Sequence, residues 1–299
     1  MTIATIPNPD PTGAKTNVWR EIYNAPACTG ALTADTWEIQ TDGDFTALND
    51  SLLAVASDQA GTWVAVSNYN YIGTSTDGGD WVQRYHNISL DKIAAVVYMA
   101  NKWVAVGTDY AYVSTDSINW VRYLIGPYTF HGVYYNDGKW VAVGTTGKIY
   151  TSSDAKNWIE ATSFPASAAL IGAVIYANNL WVAGRSDGYT LTSTDGETWT
   201  EHATTFDAIH ISSIAYGQSK FIAVNFNGQI GSSTDGITWV IDSIDHGILN
   251  AVRFSPVGLW IAGGQTSEKE IYYSTDGLDW TLISGALGGN NGVDGLAFD

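Results

Sequence analysis

The chain has 299 residues, 45% of them hydrophobic, which supports a large core and argues against disorder. It carries 30 Asp and Glu against 13 Lys and Arg, a formal net charge of −17, which argues against binding to nucleic acid or anionic membranes. The single cysteine, Cys28, excludes an intramolecular disulfide and a cysteine-based metal site. We see no signal peptide and no apolar run near the ~18 residues of a membrane span, so we expect no membrane insertion.

The N-terminal region is predicted to contain an arm followed by a few short strands. The Pro-containing arm covers residues 1–17, and a single domain covers residues 18–299. Val18–Tyr23 has the pattern of a strand, and Gly30–Trp37 that of a shortened strand pair. At the other end of the chain, Val293–Phe298 has the pattern of one more strand.

The middle of the chain repeats a seven-residue motif of the form Ser-x-Asp-x-x-x-Trp. The six copies begin 38 to 41 residues apart, a period that indicates a propeller or a solenoid. They read STDGGDW, STDSINW, SSDAKNW, STDGETW, STDGITW and STDGLDW, with aspartates Asp77, Asp116, Asp154, Asp195, Asp235 and Asp276 and tryptophans Trp81, Trp120, Trp158, Trp199, Trp239 and Trp280.

Each repeat also contains two apolar runs joined by a turn sequence. The second run opens with an aromatic residue, as in Trp140-Val-Ala-Val, and the first is rich in β-branched residues, as in Ile171–Tyr176. Turn sequences such as Asn136-Asp-Gly between the two runs indicate hairpins. We therefore predict four antiparallel strands, A to D, in every repeat.

Four-stranded units repeated around an axis form a β-propeller. Six full repeats span about residues 49–290, and a seventh blade is predicted from residues 18–42 together with 293–298. Closing the ring with both chain ends would protect two sheet edges. The predicted fold is therefore all-β, a seven-bladed propeller.

The motif resembles that of the Asp-box, or BNR-repeat, propellers, although Trp follows Ser by six residues here and by seven in the fuller motif. That family includes sialidases, xyloglucan hydrolases, photosystem assembly factors, and bacterial and phage surface proteins. The resemblance implies the fold but no single function. We expect each Asp to accept backbone hydrogen bonds and each Trp to pack between sheets. Six equivalent copies cannot face one substrate, so we predict a structural role for all of them.

The Ser-x-Asp-x-x-x-Trp motifs lie in the C–D turns, on one face of the predicted propeller. The D–A and B–C connections should lie together on the opposite face, around the mouth of the central channel, and their sequences vary most. Histidines and aromatic residues concentrate there, which suits sugar stacking or a protein contact, although each could also be satisfied locally. The predicted ligand or partner face consists of His86, Tyr110, Tyr128, Phe130, His131, Phe206, His210, Phe226, Asp245 and His246.

Three chemical alternatives were weighed against the residues. The sialidase resemblance implies an arginine triad and a Phe-Arg-Ile-Pro motif, but the chain has five scattered arginines and lacks that motif. A carboxylate pair, Asp207 and Asp245, could serve a glycoside hydrolase. A metal site from His202 and His210 lacks dense ligand spacing. We predict no catalytic residues, no metal and no cofactor.

The predicted function is a non-enzymatic binding or structural propeller within a larger assembly, such as a tail- or capsid-associated protein of a phage virion. Its D–A face would contact a partner protein or a host glycan, and the chain could form a homo-oligomer. The alternatives are a glycoside hydrolase or sialidase-like enzyme and a protein-complex assembly factor. The virion, assembled in the host cytoplasm, is the predicted location, with the cytoplasm and the cell surface as alternatives.

Overall fold

The computed structural model describes most of the region that contains the repeats. The described residues are 15–17, 20–21, 37–38, 52–78, 80–86, 91–163, 165–242, 247–265, 271–283, 291–293 and 295–298.

All regular elements in these ranges are strands, apart from a short 3-10 turn at Thr145–Gly147. The strands are β1 (Lys15–Asn17), β2 (Arg20–Glu21), β3 (Trp37–Glu38), β4 (Leu52–Ser57), β5 (Trp63–Ser67), β6 (Tyr71–Ser75), β7 (Val82–His86), β8 (Ile93–Met99), β9 (Lys102–Ser114), β10 (Val121–Asn136), β11 (Lys139–Gly144), β12 (Ile149–Ser152), β13 (Ile159–Glu160), β14 (Ile171–Ala177), β15 (Leu180–Arg185), β16 (Thr190–Ser193), β17 (Thr200–His202), β18 (Ile211–Gly217), β19 (Lys220–Asn225), β20 (Ile230–Ser233), β21 (Val240–Asp242), β22 (Ile248–Phe254), β23 (Trp260–Gln265), β24 (Ile271–Ser274), β25 (Thr281–Ile283) and β26 (Asn291–Val293).

The strands form an all-β propeller of antiparallel sheets. Four sheets have four strands each, in the orders β4-β5-β6-β7, β14-β15-β16-β17, β18-β19-β20-β21 and β22-β23-β24-β25. The fifth has six strands, in the order β8 to β13. The predicted four hairpin-connected strands are therefore confirmed in the four repeats that form four-stranded sheets.

The predicted number of blades is wrong, because the structure has five blades and not seven. Strand β9 continues through the expected turn near Asp109, and β10 continues through the expected connection between the second and third repeats. Buried Ile125 and Phe130 anchor that connection, and a register shift between Leu124 and Thr129 marks the join. Two repeats therefore share one six-stranded sheet.

The chain ends also do not form the predicted seventh blade. Strand β1 pairs in parallel with β26, whereas β2 pairs antiparallel with β3. Among the described residues they are two separate two-stranded sheets, since no strand hydrogen bonds there join one pair to the other. The merged repeats and the missing terminal blade together account for the difference between seven and five.

The second strand of each repeat is the most deeply buried element. Strands β5 and β11, for example, are buried from their tryptophans onward, because neighbouring sheets cover both of their faces. An aromatic residue at the end of the preceding strand packs against the opening aromatic ring. The ring centroids lie 4.7 to 5.1 Å apart in Tyr98–Trp103, Tyr135–Trp140, Tyr176–Trp181, Tyr216–Phe221 and Phe254–Trp260.

A C-terminal segment, residues 295–298, packs between the last and first four-stranded sheets. Leu296 and Phe298 belong to a core cluster with Ile261 of β23, while Ala297 belongs to a cluster with Trp63 of β5. This segment therefore links the two sheets by hydrophobic packing, without adding a strand to either.

The six Ser-x-Asp-x-x-x-Trp segments, which we call the aspartate turns, share one hydrogen-bond pattern. In the fourth turn, Asp195 Oδ1 accepts the backbone N–H groups of Glu197 and Thr198, both at 2.8 Å. Ser193 Oγ donates to the same carboxylate at 2.9 Å and accepts the Gly196 N–H at 2.8 Å. The backbone bond from Thr198 is the main cause that lowers the pKa of Asp195 to about 2.

In five of the six turns the tryptophan closes the turn from the other side, whereas Trp280 Nε1 has no hydrogen-bond partner among the described residues. Trp199 Nε1 donates to the Gly196 carbonyl at 3.0 Å, and the same bond occurs at Trp81, Trp120, Trp158 and Trp239. The carboxylate and the indole are thus both used within the turn itself.

Three lysines connect neighbouring repeats by reaching into an aspartate turn. Each lies at the start of a second strand, and its Nζ donates to a backbone carbonyl of the turn in the following repeat. The pairs are Lys102 with Asp154 at 3.4 Å, Lys139 with Asp195 at 2.7 Å and Lys220 with Asp276 at 2.7 Å. The turns therefore help to hold the repeats against one another.

One turn position offers a stability prediction. The residue after the aspartate has a left-handed backbone in every turn, and Ser117 occupies it with φ 62°, where the fourth turn has Gly196 with φ 74°. Ser117→Gly should raise the free energy of unfolding by about 0.5–1 kcal/mol, because relief of left-handed strain exceeds the entropy that glycine adds to the unfolded chain. Urea denaturation measures the change.

Gly196→Ala is the matched control and should destabilise the protein. A Cβ atom there would lie 3.1 Å from Lys139 Cδ and 3.2 Å from Val141 Cγ2, in addition to the strain at positive φ. If both variants shifted the urea midpoint in the same direction, the argument from backbone conformation would be wrong.

Candidate functional site

The innermost strands of the propeller, β4, β8, β10, β14, β18 and β22, each contain a β-bulge at the same level. The register shifts at the second residue of β4, β8, β14 and β18, at the third residue of β22, and at the equivalent position within the long strand β10. Such bulges free a residue from the sheet ladder and often occur beside functional sites. The six bulge residues are Leu53, Ala94, His131, Gly172, Ser212 and Asn250.

All six bulge residues line a central cavity of about 430 Å³. The inner strands and the C-terminal segment 295–298 form its walls. The aspartate turns connect the outer strands at the other end of each repeat. One mouth of the cavity is therefore bordered by bulge residues whose identity differs from repeat to repeat.

Three nitrogen-bearing side chains gather at this mouth, and we call them the basic mouth cluster: Lys92, His131 and His210. Lys92 directly precedes β8, His131 is the bulge residue of β10, and His210 directly precedes β18. Burial, with added repulsion from Lys92 and His210, lowers the pKa of His131 to about 3. Burial and Lys92 lower the pKa of His210 to about 4, and burial lowers the pKa of Lys92 itself.

Close packing fixes the position of His210. Its ring stacks on Phe226 with a centroid distance of 4.5 Å and an interplanar angle of 14°, and the Phe226 N–H donates to the His210 carbonyl at 3.1 Å. A Cβ atom on Gly172 would lie 2.3 Å from His210 Nε2, so only glycine fits there. Phe226 itself is 43% exposed.

The basic mouth cluster has no acidic counterpart among the described residues. The ion pairs among the described residues involve other cations. They join Lys139 to Glu197, Lys148 to Glu160, and Arg185 to both Asp187 and Glu201. Within the described ranges, Lys92 Nζ and the ring nitrogens of His131 and His210 also make no hydrogen bond. In a protein of net charge −17, such a cluster is an anomaly that a ligand could explain.

Other residues of the predicted face lie apart from this cluster. Tyr110 packs against the Arg122 guanidinium, with 4.6 Å from Cζ to the ring centroid, and Tyr128 lies 5.4 Å from Lys148 Nζ. Phe130 and Phe206 are core residues, so their assignment to a binding surface requires correction. Phe130 is fully buried against Tyr150, and Phe206 packs on Trp239.

The remaining predicted residues are only partly covered by the structure. Asp245 and His246 lie outside the described residues, and of His86 only its place in β7 is described. Asp207 accepts a hydrogen bond from Asn227 Nδ2 at 2.7 Å, and His202 Nε2 lies 2.8 Å from Thr192 Oγ1. His202 and His210 therefore have different neighbours, and the proposed pairing of Asp207 with Asp245 stays a prediction.

The described ranges contain neither a candidate metal site nor a candidate membrane-spanning helix. No three His, Cys, Asp or Glu side chains come together there in a way that could hold a metal ion. No helix in those ranges has the length and hydrophobicity that crossing a membrane requires.

Sequence reasoning missed Lys92, Gly172 and the bulges. Lys92 looks like an ordinary surface lysine ahead of a strand, and Gly172 like a weak point within one. Aligning the repeats at the start of strand A, and not at the aspartate turn, would have placed Lys92 level with His210 and Gly172 level with His131.

Comparison with known proteins supports the propeller fold. Residues 128–248 match the family model described as the DUF6242 beta propeller domain. No curated protein sequence matches the chain.

Several solved structures share the architecture at low sequence identity. A structure described as YCF48 bound to D1 peptide is 18% identical, covers 78% of this chain and 82% of its own, and superposes with a TM-score of 0.62. YCF48 from Cyanidioschyzon merolae is 20% identical, with coverages of 78% and 86% and a TM-score of 0.59. A streptogramin B lyase structure is 12% identical, with coverages of 83% and 87% and a TM-score of 0.73. The chain is thus similar in fold to a peptide-bound protein and to a lyase, and it contains a β-propeller domain.

Proposed function

We propose that this chain is a binding propeller that holds an acidic segment of a partner protein at the basic mouth cluster, as part of a larger assembly. The observation that carries the proposal is the cluster itself. Lys92, His131 and His210 lie together at the cavity mouth without an acidic counterpart in the described chain.

The chemistry of the mouth suits a carboxylate-bearing peptide. Lys92 supplies positive charge, and neutral imidazoles of His131 and His210 each supply one N–H donor. The exposed ring of Phe226 offers an apolar surface beside them. Because the protein as a whole is strongly acidic, an acidic segment would be repelled by most of its surface and drawn to this local cluster, which gives the interaction a defined position.

A binding role fits these groups better than catalysis does. A general base works best when its pKa lies near the working pH, whereas burial lowers the pKa of His131 to about 3 and that of His210 to about 4. Such imidazoles accept protons poorly at neutral pH. The peptide-bound YCF48 structure supports the idea that this architecture can hold a peptide.

Two finer parts of the prediction rest on composition and sequence resemblance. These are the placement of the chain in a phage virion and the binding of a host glycan through the same face. A neutral oligosaccharide is therefore included as a separate ligand in the binding experiment, and the particle itself can be tested by mass spectrometry of purified virions.

The first binding experiment uses a fluorescein-labelled hexaglutamate peptide as the probe. The double variant Lys92→Met/His131→Asn should weaken binding by about tenfold or more, because it removes the charge and one imidazole donor. Wild-type binding should also weaken as salt is added. Fluorescence anisotropy at several salt concentrations measures both effects.

Lys148→Met is the matched control, because Lys148 also lies in a loop next to an inner strand but is already paired with Glu160. It should leave peptide binding within about twofold of the wild type. Equal losses in Lys148→Met and in the double variant would show that only net charge matters and would contradict the proposed site.

A further inference from the structure

We propose that the central cavity contains a second site, at Arg253, which binds a small carboxylate that has an apolar body. This site lies deeper than the basic mouth cluster and does not depend on the proposed partner binding. It is identified by one residue that breaks the pattern of the inner strands.

The six inner strands have an equivalent position three residues after the bulge. In each strand this residue pairs with the second residue of the buried run on the neighbouring strand. All six residues at this level line the cavity. They are Ala56, Val97, Tyr134, Ile175, Ala215 and Arg253. Five of the six are uncharged, so Arg253 is the one cation at its level.

One side of the Arg253 guanidinium is fixed by the protein. Nη1 donates to Ser213 Oγ at 3.0 Å and to the Val252 carbonyl at 2.8 Å. Nε and Nη2 have no acceptor among the residues that the structure describes. The group is therefore held in place while the remaining donors of its planar fork stay available.

The guanidinium is surrounded by protein although its side chain is accessible from the cavity. Its side chain is exposed to solvent in that space, while the surrounding protein partly desolvates the charge and lowers the pKa of Arg253. An arginine keeps its charge even so, because the guanidinium loses its proton only far above neutral pH. No ion pair to Arg253 exists within the described ranges, so an anion that enters the cavity meets no competing carboxylate there.

The surroundings favour a monovalent carboxylate over phosphate or sulfate. A single guanidinium matches the two oxygens of one carboxylate, whereas a divalent anion would keep an excess charge that no second cation at this level neutralises. Val97, Ile175 and Tyr134 supply apolar walls at the same level. A cavity of about 430 Å³ is large enough for an aromatic or short aliphatic acid.

The site is separate from the mouth. On strand β22 the bulge residue Asn250 lies at the level of His131, and Arg253 follows three residues later. At about 3.3 Å per residue the two levels are roughly 10 Å apart. Variants of the basic mouth cluster should therefore leave binding at Arg253 intact.

Thermal unfolding in the presence of defined anions tests the proposal. Benzoate and hexanoate should raise the Tm of the wild-type protein in a concentration-dependent way, and more than acetate does. At the same low millimolar concentrations, where general salt effects on stability are small, sodium phosphate and sulfate should give no saturable rise in Tm. Isothermal titration with benzoate then gives the stoichiometry, which should be one per chain.

Variants assign the effect to the site. Arg253→Met should abolish the benzoate-dependent Tm shift, whereas Lys92→Met/His131→Asn and Arg122→Met should retain it. Asp294→Asn and Asp299→Asn are tested in parallel, because these carboxylates lie outside the described residues. If no carboxylate raised the Tm of the wild-type protein, the proposal would be overturned. The same holds for a shift that survives Arg253→Met, that is larger with phosphate, or that appears only in the aspartate variants.

Discussion

Trp140→Ala should lower the free energy of unfolding by about 4 kcal/mol, the largest effect that we expect from a single substitution. Trp140 opens β11, is fully buried, and belongs to the core cluster that joins the two repeats of the six-stranded sheet. Its ring centroid lies 4.9 Å from that of Tyr135. The surrounding strands are tied into one sheet and cannot collapse into the space, so most of the cavity should remain. Urea denaturation followed by tryptophan fluorescence and circular dichroism measures the loss.

Phenylalanine provides the matched comparison for this position. Trp140 Nε1 has no hydrogen-bond partner among the described residues, so Trp140→Phe removes volume without breaking a bond and should cost only about 1–2 kcal/mol. Trp199→Phe in an aspartate turn differs, because it also leaves the Gly196 carbonyl without the indole N–H. If Trp140→Ala and Trp140→Phe had the same midpoint, the core between these repeats would be less tightly packed than the structure shows.

The second large effect is a loss of stability in mild acid. His131 and His210 are neutral in the folded protein, with pKa values of about 3 and about 4, whereas an unfolded histidine titrates near pH 6.5. The unfolded state therefore binds more protons as the pH falls below 6.5. Each histidine should lower the free energy of unfolding by about 2 kcal/mol between pH 6.5 and pH 5. Urea midpoints measured across this range give the slope.

Asparagine substitution tests the assignment. His131→Asn/His210→Asn should flatten the dependence between pH 6.5 and pH 5. The aspartate turns act in a lower range, since their depressed pKa values preserve stability until the pH falls below about 4. An unchanged slope in the double variant would mean that other groups cause the acid sensitivity.

The sequence was most informative where the repeats agree with one another. The spacing of the aspartate turns and the aromatic residues that open the buried runs predicted the order of strands and the hairpins. These features are local, since turn chemistry and alternation act over a few residues. The blade count failed because it depends on whether Gly107–Ala111 and Ile125–Tyr128 bend or continue as strands. That outcome is decided by packing between repeats, which no single repeat encodes.

The candidate site was predicted only in part for a related reason. His131, His210 and Phe226 were identified because histidine and aromatic residues stand out in variable connections. Phe130 and Phe206 met the same criterion, yet they are buried, because a connection near the cavity can fold inward. Lys92 and Arg253 were not assigned to a site, since their meaning depends on what lies at the same level on other inner strands.

The shared bulge gives this protein a practical advantage as a scaffold. Each bulge residue is outside the ladder of its own sheet, so, apart from Gly172, its side chain can change without altering strand register or the buried tryptophans. The six positions are occupied by Leu, Ala, His, Gly, Ser and Asn. A combinatorial library at Leu53, Ala94, His131, Ser212 and Asn250, with Gly172 kept, would therefore sample new recognition surfaces on an unchanged framework, and variants could be selected for binding without first being rescued for folding.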